Sequence, residues 1–182
     1  MTLPFKLQAL HALTDAFKTI TPANGYHFDL ADFVDGDGVT VSRVYRGRPW
    51  FGDSDPIPMV SVLEAGDPFD IIAEAQPSAG IAENDWALNV QGFVIDDKTN
   101  PTDPGYLLLA DLRKCLAAEA ARRSANGRQP NPLGLGLGKN KVVSLRFGSG
   151  TVRPADDVSA KAWLWLPVTL RIVEHASDPY AV

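Results

Sequence analysis

The chain has 182 residues, of which 45% are hydrophobic and 21% are charged, and this ordinary globular composition excludes disorder along its whole length. The length fits a single domain, residues 1–182, with a hydrophobic core of its own. The net charge of -5 at pH 7 argues against a domain that reads nucleic acid, because affinity for phosphates comes mainly from accumulated Lys and Arg.

The N-terminal residues predict an amphipathic helix. Apolar side chains recur at steps of three or four residues, at Leu7, Leu10, Leu13, Phe17 and Ile20. The helix should end near Thr21, because the residue before a proline is pushed out of helical geometry. The chain shows no leader pattern and no apolar run near the roughly 20 residues that span a bilayer. We therefore expect assembly in the cytoplasm and no membrane partner.

Strand-type residues follow at 39–45 and at 57–64, and they predict two strands. The long loop between them, at about 46–56, combines turn formers with Trp50 and Phe51. Large aromatic side chains are unusual in a loop, so these two are candidates for contacts.

The next segments predict a connection and a third strand. Residues 65–82 carry repeated glycine and proline, which is typical of a connection, here one that includes a short helix. Residues 85–96 then alternate apolar and polar side chains, the period of a strand with one wet face. Gly92 interrupts this alternation and suggests a β-bulge.

A second helix is predicted to begin at Asp103, because an N-cap residue followed by proline in the first helical position favours a helix start. Its buried stripe is expected at Leu108, Leu112, Cys115 and Leu116. Asn126 and Gly127 should end it. The glycine-rich segment after it, at about 127–141, predicts a second long loop or a mobile arm.

The final strand, predicted at 161–174, has the clearest pattern in the chain. Its odd positions include Trp163, Trp165 and Pro167, whereas every even position from Ala162 to Ile172 is aliphatic. The face that carries the even positions is therefore expected to pack in the core. Because proline cannot donate a ladder hydrogen bond, the strand is expected at a sheet edge or with a bulge.

The order of these elements predicts an α+β fold, with a mainly antiparallel sheet covered on one face by two amphipathic helices. The tryptophans on the other face of the last strand have two interpretations. They form a contact surface, or a helix covers them within the domain.

A search for reactive groups predicts no catalytic, cofactor or metal site. Residues 134–139 resemble a phosphate-binding loop, but Asn140 stands where Ser or Thr is needed and a strand follows instead of a helix. The three histidines are scattered, and the single cysteine, Cys115, lies in an apolar helical pattern. We therefore predict a structural protein and not an enzyme.

Candidate interface residues are the arginines and aromatics that dominate interface energies. They fall in the first long loop and on the odd face of the last strand: Arg46, Arg48, Trp50, Phe51, Trp163, Trp165 and Arg171. A surface that stacks single-stranded bases is the alternative for the loop residues, and the acidic net charge weighs against it.

The order of features also resembles the tail terminator proteins of long-tailed, siphovirus-like bacteriophages, over most of the chain. The resemblance is carried by an N-terminal helix and a series of short phrases: Ile20-Thr-Pro-Ala-Asn-Gly-Tyr26, Arg46-Gly47, Pro58-Met-Val-Ser-Val62, the strand from Trp86 to Val94, and Leu107-Leu-Leu-Ala-Asp-Leu112.

The resemblance implies a virion protein of the phage neck that assembles as a hexameric ring on the tail tube. It implies three partners besides other copies of the chain: tail tube protein, a head-completion or neck protein, and DNA that passes through the lumen without sequence-specific binding. An acidic lumen would keep DNA from sticking. The alternatives are another neck or tail-completion protein, or a small binding module that uses the arginine and tryptophan loop.

Overall fold

Residues 3–52, 55–65, 80–156 and 161–181 are described by a computed structural model of the chain. Two helices pack on one face of a mainly antiparallel sheet, so the predicted α+β fold class is confirmed. The elements are α1 (Phe5–Lys18), β1 (Phe33–Val34), β2 (Thr40–Val41), β3 (Val44–Arg46), β4 (Met59–Glu64), β5 (Ile81–Val94), α2 (Asp103–Ala121), β6 (Lys141–Phe147), β7 (Thr151–Arg153) and β8 (Ala162–His175).

The main sheet has the strand order β3-β4-β5-β8-β6, and β7 pairs with β8 beyond the end of β6. β3 and β4 are parallel, and the other neighbouring strands of this sheet are antiparallel. β5 and β8 are 14 residues each and pair from end to end, with Ile81 opposite His175 and Val94 opposite Ala162. β1 and β2 form a separate hairpin before β3.

The core lies between the central strand pair and the helices. Every even-numbered residue of β8 from Ala162 to Ile172 is buried, as the sequence pattern predicts. Leu88 and Val90 extend this apolar face across β5. The helices cover it with Phe5, Leu13 and Phe17 of α1 and with Leu108, Leu112 and Leu116 of α2. Each fully buried Leu or Phe side chain stabilises the fold by roughly 1.5–3 kcal/mol.

The bulge predicted at Gly92 is absent from the pairing of β5, and this prediction is wrong. The register runs without a shift through Val60 opposite Gly92 on one side and Leu164 opposite Gly92 on the other. A Cβ atom at this position would lie 3.0 Å from Leu108 Cδ2 and 3.2 Å from Leu164 Cγ. Glycine is therefore present because α2 approaches the sheet here, and not because the strand bends.

The prediction that the last strand lies at a sheet edge or contains a bulge is also wrong. β8 lies between β5 on one side and β6 and β7 on the other, and the irregularity in its pairing with β6, between Val142 and Ser144, belongs to β6. Gly148 donates its backbone N–H to the Pro167 carbonyl at 2.9 Å. The backbone polar groups of Pro167 therefore face the segment 148–150, where β6 has ended and β7 has not begun. The missing N–H costs no ladder hydrogen bond at that break.

The loops differ from their predictions in detail. α2 ends at Ala121, several residues before Asn126, and the predicted strand at 39–45 is divided between β2 and β3. Segment 127–141 contains a short 3₁₀ helix, Pro132–Gly134, whose Leu133 is buried against the core, so this part packs instead of forming an arm. The short helix predicted within 65–82 falls outside the described residues, except for 65 and 80–82.

We expect Gly92→Ala to lower the free energy of unfolding by about 1–3 kcal/mol, because the added methyl group overpacks the α2–sheet contact. Thermal or urea unfolding measures the change. Gly148→Ala is the matched control, since a Cβ there meets only the Pro167 ring at 3.6 Å, an ordinary contact distance. Equal losses for the two variants would contradict the packing role of Gly92.

Candidate interaction surface

The second face of the sheet carries the odd-numbered residues of β5 and β8, and we call it the open face. Both α1 and α2 pack against the even-numbered residues, on the opposite face. Trp163 is half-buried on the open face, and Trp165 is 46% exposed. Of the helices in the described residues, neither α1 nor α2 therefore covers these tryptophans.

Four aromatic side chains form a continuous aromatic cluster at one end of the open face. The ring of Phe51 meets that of Phe93 edge-on, with centroids 4.8 Å apart. Phe93 lies opposite Trp163 in the β5–β8 register, and the rings of Trp163 and Trp165 are 5.0 Å apart, again edge-on. Such edge-to-face pairs add about 0.5–1.5 kcal/mol each beyond the area that they bury.

The loop between β3 and β4 folds back over the sheet to complete this cluster. Arg48 donates its backbone N–H to the buried Ser61 Oγ at 3.1 Å, its guanidinium lies over the Tyr45 ring, and it forms an ion pair with Asp55. These contacts hold Phe51 against Phe93. Trp50, by contrast, is 72% exposed. The unusual aromatics of this loop thus divide into one that packs on the open face and one that projects.

Arg46 does not join the other candidate residues. Its Nη1 donates to the hydroxyl of Thr14 in α1 at 2.6 Å, which places the side chain on the helix-covered face. Thr14 itself is buried and donates to the backbone of the preceding turn. Arg46 therefore connects β3 to α1 within the chain.

Arg171 belongs to an ion-pair cluster at the other end of the open face. Its Nε donates to Glu83 Oε1 at 2.7 Å, and its Nη1 lies 3.7 Å from Asp85 Oδ1. Arg146 of β6 binds the other oxygen of Asp85 at 2.5 Å. The hydrogen bond to Glu83 raises the pKa of Arg171. All four side chains are at least 42% exposed, so the pairs contribute little to stability.

A shallow depression of about 490 Å³ separates the aromatic cluster from the ion-pair cluster. Pro167 and Thr169 of β8 form its floor together with Ala87 of β5, and Asp85 and Arg146 form its charged side. The open face is therefore a strip with an aromatic end, a small-residue middle and a charged end.

Sequence reasoning missed Phe93, Glu83, Asp85 and Arg146. The alternation of β5 puts Glu83 and Asp85 on the same face as Phe93, so the strand pattern alone was enough to place these three residues together. Pairing Asp85 with Arg171 and Arg146 also requires the register of three strands, which the pattern does not give.

The single cysteine of the chain, Cys115, is buried in the core. Burial raises the pKa of the Cys115 thiol to about 12, so it stays protonated and a poor nucleophile at neutral pH. In the ranges that the structure describes, no group of three or more His, Cys, Asp or Glu side chains could hold a metal ion. None of the helices described there is long and apolar enough to cross a membrane.

Comparison with protein-family models and with curated protein sequences finds no match to either. The function is therefore inferred from the residues of this chain.

We expect Phe51→Ala to lower the free energy of unfolding by about 1–3 kcal/mol, because it removes the ring that covers Phe93. Trp50→Ala is the matched control: it removes a neighbouring aromatic that is mostly exposed, and its effect should stay within about 0.5 kcal/mol. Chemical denaturation measures both. Identical stabilities of the two variants would show that the loop does not pack on the sheet.

Proposed function

We propose that this chain is a structural virion protein, similar to a phage tail terminator, that assembles with copies of itself into a hexameric ring. The ring caps the tail tube, stops its elongation and joins the tail to the head. The hexamer, the tube and the head partner are what the resemblance in the sequence implies. No catalytic step is part of this function.

The observation that supports assembly is the aromatic cluster on a sheet face that α1 and α2 leave uncovered. Trp165 projects from it at 46% exposure, with Trp163 beside it and Phe93 opposite Trp163 on the same face. Trp50, which precedes Phe51 in the loop, is 72% exposed. Trp, Tyr and Arg are the residue types that dominate binding energy at protein interfaces. Exposed aromatics that share one face are typical of a surface that a partner covers.

The fold suits a ring subunit because the surface is built on a rigid frame. Three of the aromatic side chains, Phe93, Trp163 and Trp165, stand on the 14-residue β5–β8 pair, whose other face is the core. Contacts placed on strands keep their geometry better than contacts placed on loops. A subunit that must repeat one contact around a closed ring needs such constancy.

The acidic net charge of -5 suits the passage of DNA through the ring. Carboxylates that line a lumen would repel phosphates and prevent sticking. Replacing lumen-facing acids by lysine should slow DNA passage during ejection, and unchanged ejection would contradict this role of the charge.

A binding module for single-stranded nucleic acid is the weaker alternative. Its loop arginines are engaged within the chain, Arg46 with Thr14 and Arg48 with Asp55 and the Tyr45 ring. Another neck or tail-completion protein would use the same assembly surface with a different partner.

The ring can be tested by native mass spectrometry and negative-stain imaging, with and without tail tube protein. We expect a six-fold ring from the wild-type chain. Trp165→Ser should weaken assembly at least about tenfold, the equivalent of about 1.4 kcal/mol, because it removes an exposed aromatic from the surface. The variant should stay folded and lose about 0.5–1.5 kcal/mol of stability, the value of its contact with Trp163.

Tyr106→Ser is the matched control, since Tyr106 is a 58% exposed aromatic on α2, outside the open face. It should assemble as the wild type does. A chain that stays monomeric under every condition and binds oligonucleotide tightly at moderate salt would instead support the nucleic-acid module.

A further inference from the structure

The hairpin formed by β1 and β2 exposes apolar side chains that the rest of the chain does not cover. Val34 is 65% exposed and Val39 is 58% exposed. Phe33 and Val41, which face each other across the hairpin, are half-buried, and Arg43 lies over the Phe33 ring. One side of the hairpin therefore faces its own domain, and the side with Val34 faces outward.

The base of the hairpin is held firmly. Asp111 of α2 is buried and accepts the backbone N–H groups of His27 and Phe28 at 2.9 and 2.8 Å. Leu30 is fully buried, and its N–H donates to the Ile20 carbonyl at 2.8 Å. The hairpin thus projects from a fixed anchor, which lowers the entropy that binding must overcome.

The opposite edge of the main sheet offers a complementary surface. The hairpin precedes β3, the strand at one edge, whereas β6 and β7 form the other edge beside β8. In register with β8, Arg153 lies opposite Trp163 and Thr151 opposite Trp165, so Arg153 borders the aromatic cluster on the open face. Trp165 itself lies on β8, next to β7 at this second edge.

The charges of the two regions are also complementary. The segment 28–42, which contains the hairpin, carries Asp29, Asp32, Asp35 and Asp37 and no basic residue. Strands β6 and β7 carry Lys141, Arg146 and Arg153 and no acidic residue. Asp32 is paired with Lys18 and Arg146 with Asp85, and the Arg43 guanidinium lies over the Phe33 ring. Among the described residues, the exposed charges that remain at the hairpin turn and on β7 are Asp37 and Arg153.

We infer that the β1–β2 hairpin of one copy docks on the β7–β8 edge of a second copy, with Val34 against Trp165 and with Asp37 facing Arg153. The two surfaces are different and lie at opposite edges of one sheet, so the contact is heterologous and each copy offers both halves. Contacts of this kind propagate from copy to copy and close into a ring when the rotation allows. This inference rests on the proposed ring and identifies its subunit contact.

A charge-swap experiment tests this contact. Asp37→Arg and Arg153→Glu should each weaken self-association about tenfold or more, as measured by sedimentation velocity, because each places like charges at the contact. The double variant should regain most of the lost affinity, and so should an equal mixture of the two single variants, since both restore opposite charges at every interface. Asp15→Arg on α1 and Arg113→Glu on α2 are controls at exposed positions and should assemble normally.

The possible outcomes distinguish a failure of the hairpin contact from a failure of the proposed ring. Single variants that assemble as the wild type does would overturn the hairpin contact and leave the ring intact. A double variant that unfolds at the wild-type temperature but does not regain assembly would also overturn it. A wild-type chain that remains monomeric, alone and with tube protein, would overturn the ring together with this contact.

Discussion

The register between β5 and β8 is the constraint on which both faces of the protein depend. Side chains alternate between the two faces of a strand. If the pairing of β8 shifted by one residue, its core residues would move to the open face, and Trp163 and Trp165 would move into the core. The same 14 pairs therefore specify the aliphatic core and the aromatic cluster. Gly92 adds to this specification, because Leu108 of α2 packs where a side chain at this position would stand.

The spacing of apolar residues along the sequence was sufficient to predict the fold class and the core face of β8. The aliphatic even positions from Ala162 to Ile172 can pack only on one side, and both helices carry apolar stripes at helical spacing. The errors arose where one residue has two physical explanations. Glycine in a strand marks either a bulge or a close approach, and proline marks either an edge or a break in the neighbouring strand. Choosing between them requires the partner, which lies far away in the sequence.

The candidate surface was predictable only in part, for the same reason. Alternation places Trp163 and Trp165 on one face, but the contact between Phe51 and Phe93 joins a loop to a strand more than 40 residues later. Arg46 and Arg48 are two positions apart, yet one contacts α1 and the other contacts Asp55 of its own loop. Composition identifies the residue types of an interface, and tertiary structure decides which of them are available.

Pro167 has a consequence for how such a protein avoids uncontrolled aggregation. An unbroken outer strand along β8 would expose a long row of unpaired backbone groups, the kind of edge on which sheets extend into fibrils. The break opposite Pro167 divides that edge into strands of seven and three residues, and the other edge, β3, has only three. Short edges give poor templates for adding further strands. Association between copies must then be specified by side chains, and an assembly specified in that way can stop at a finite number of subunits.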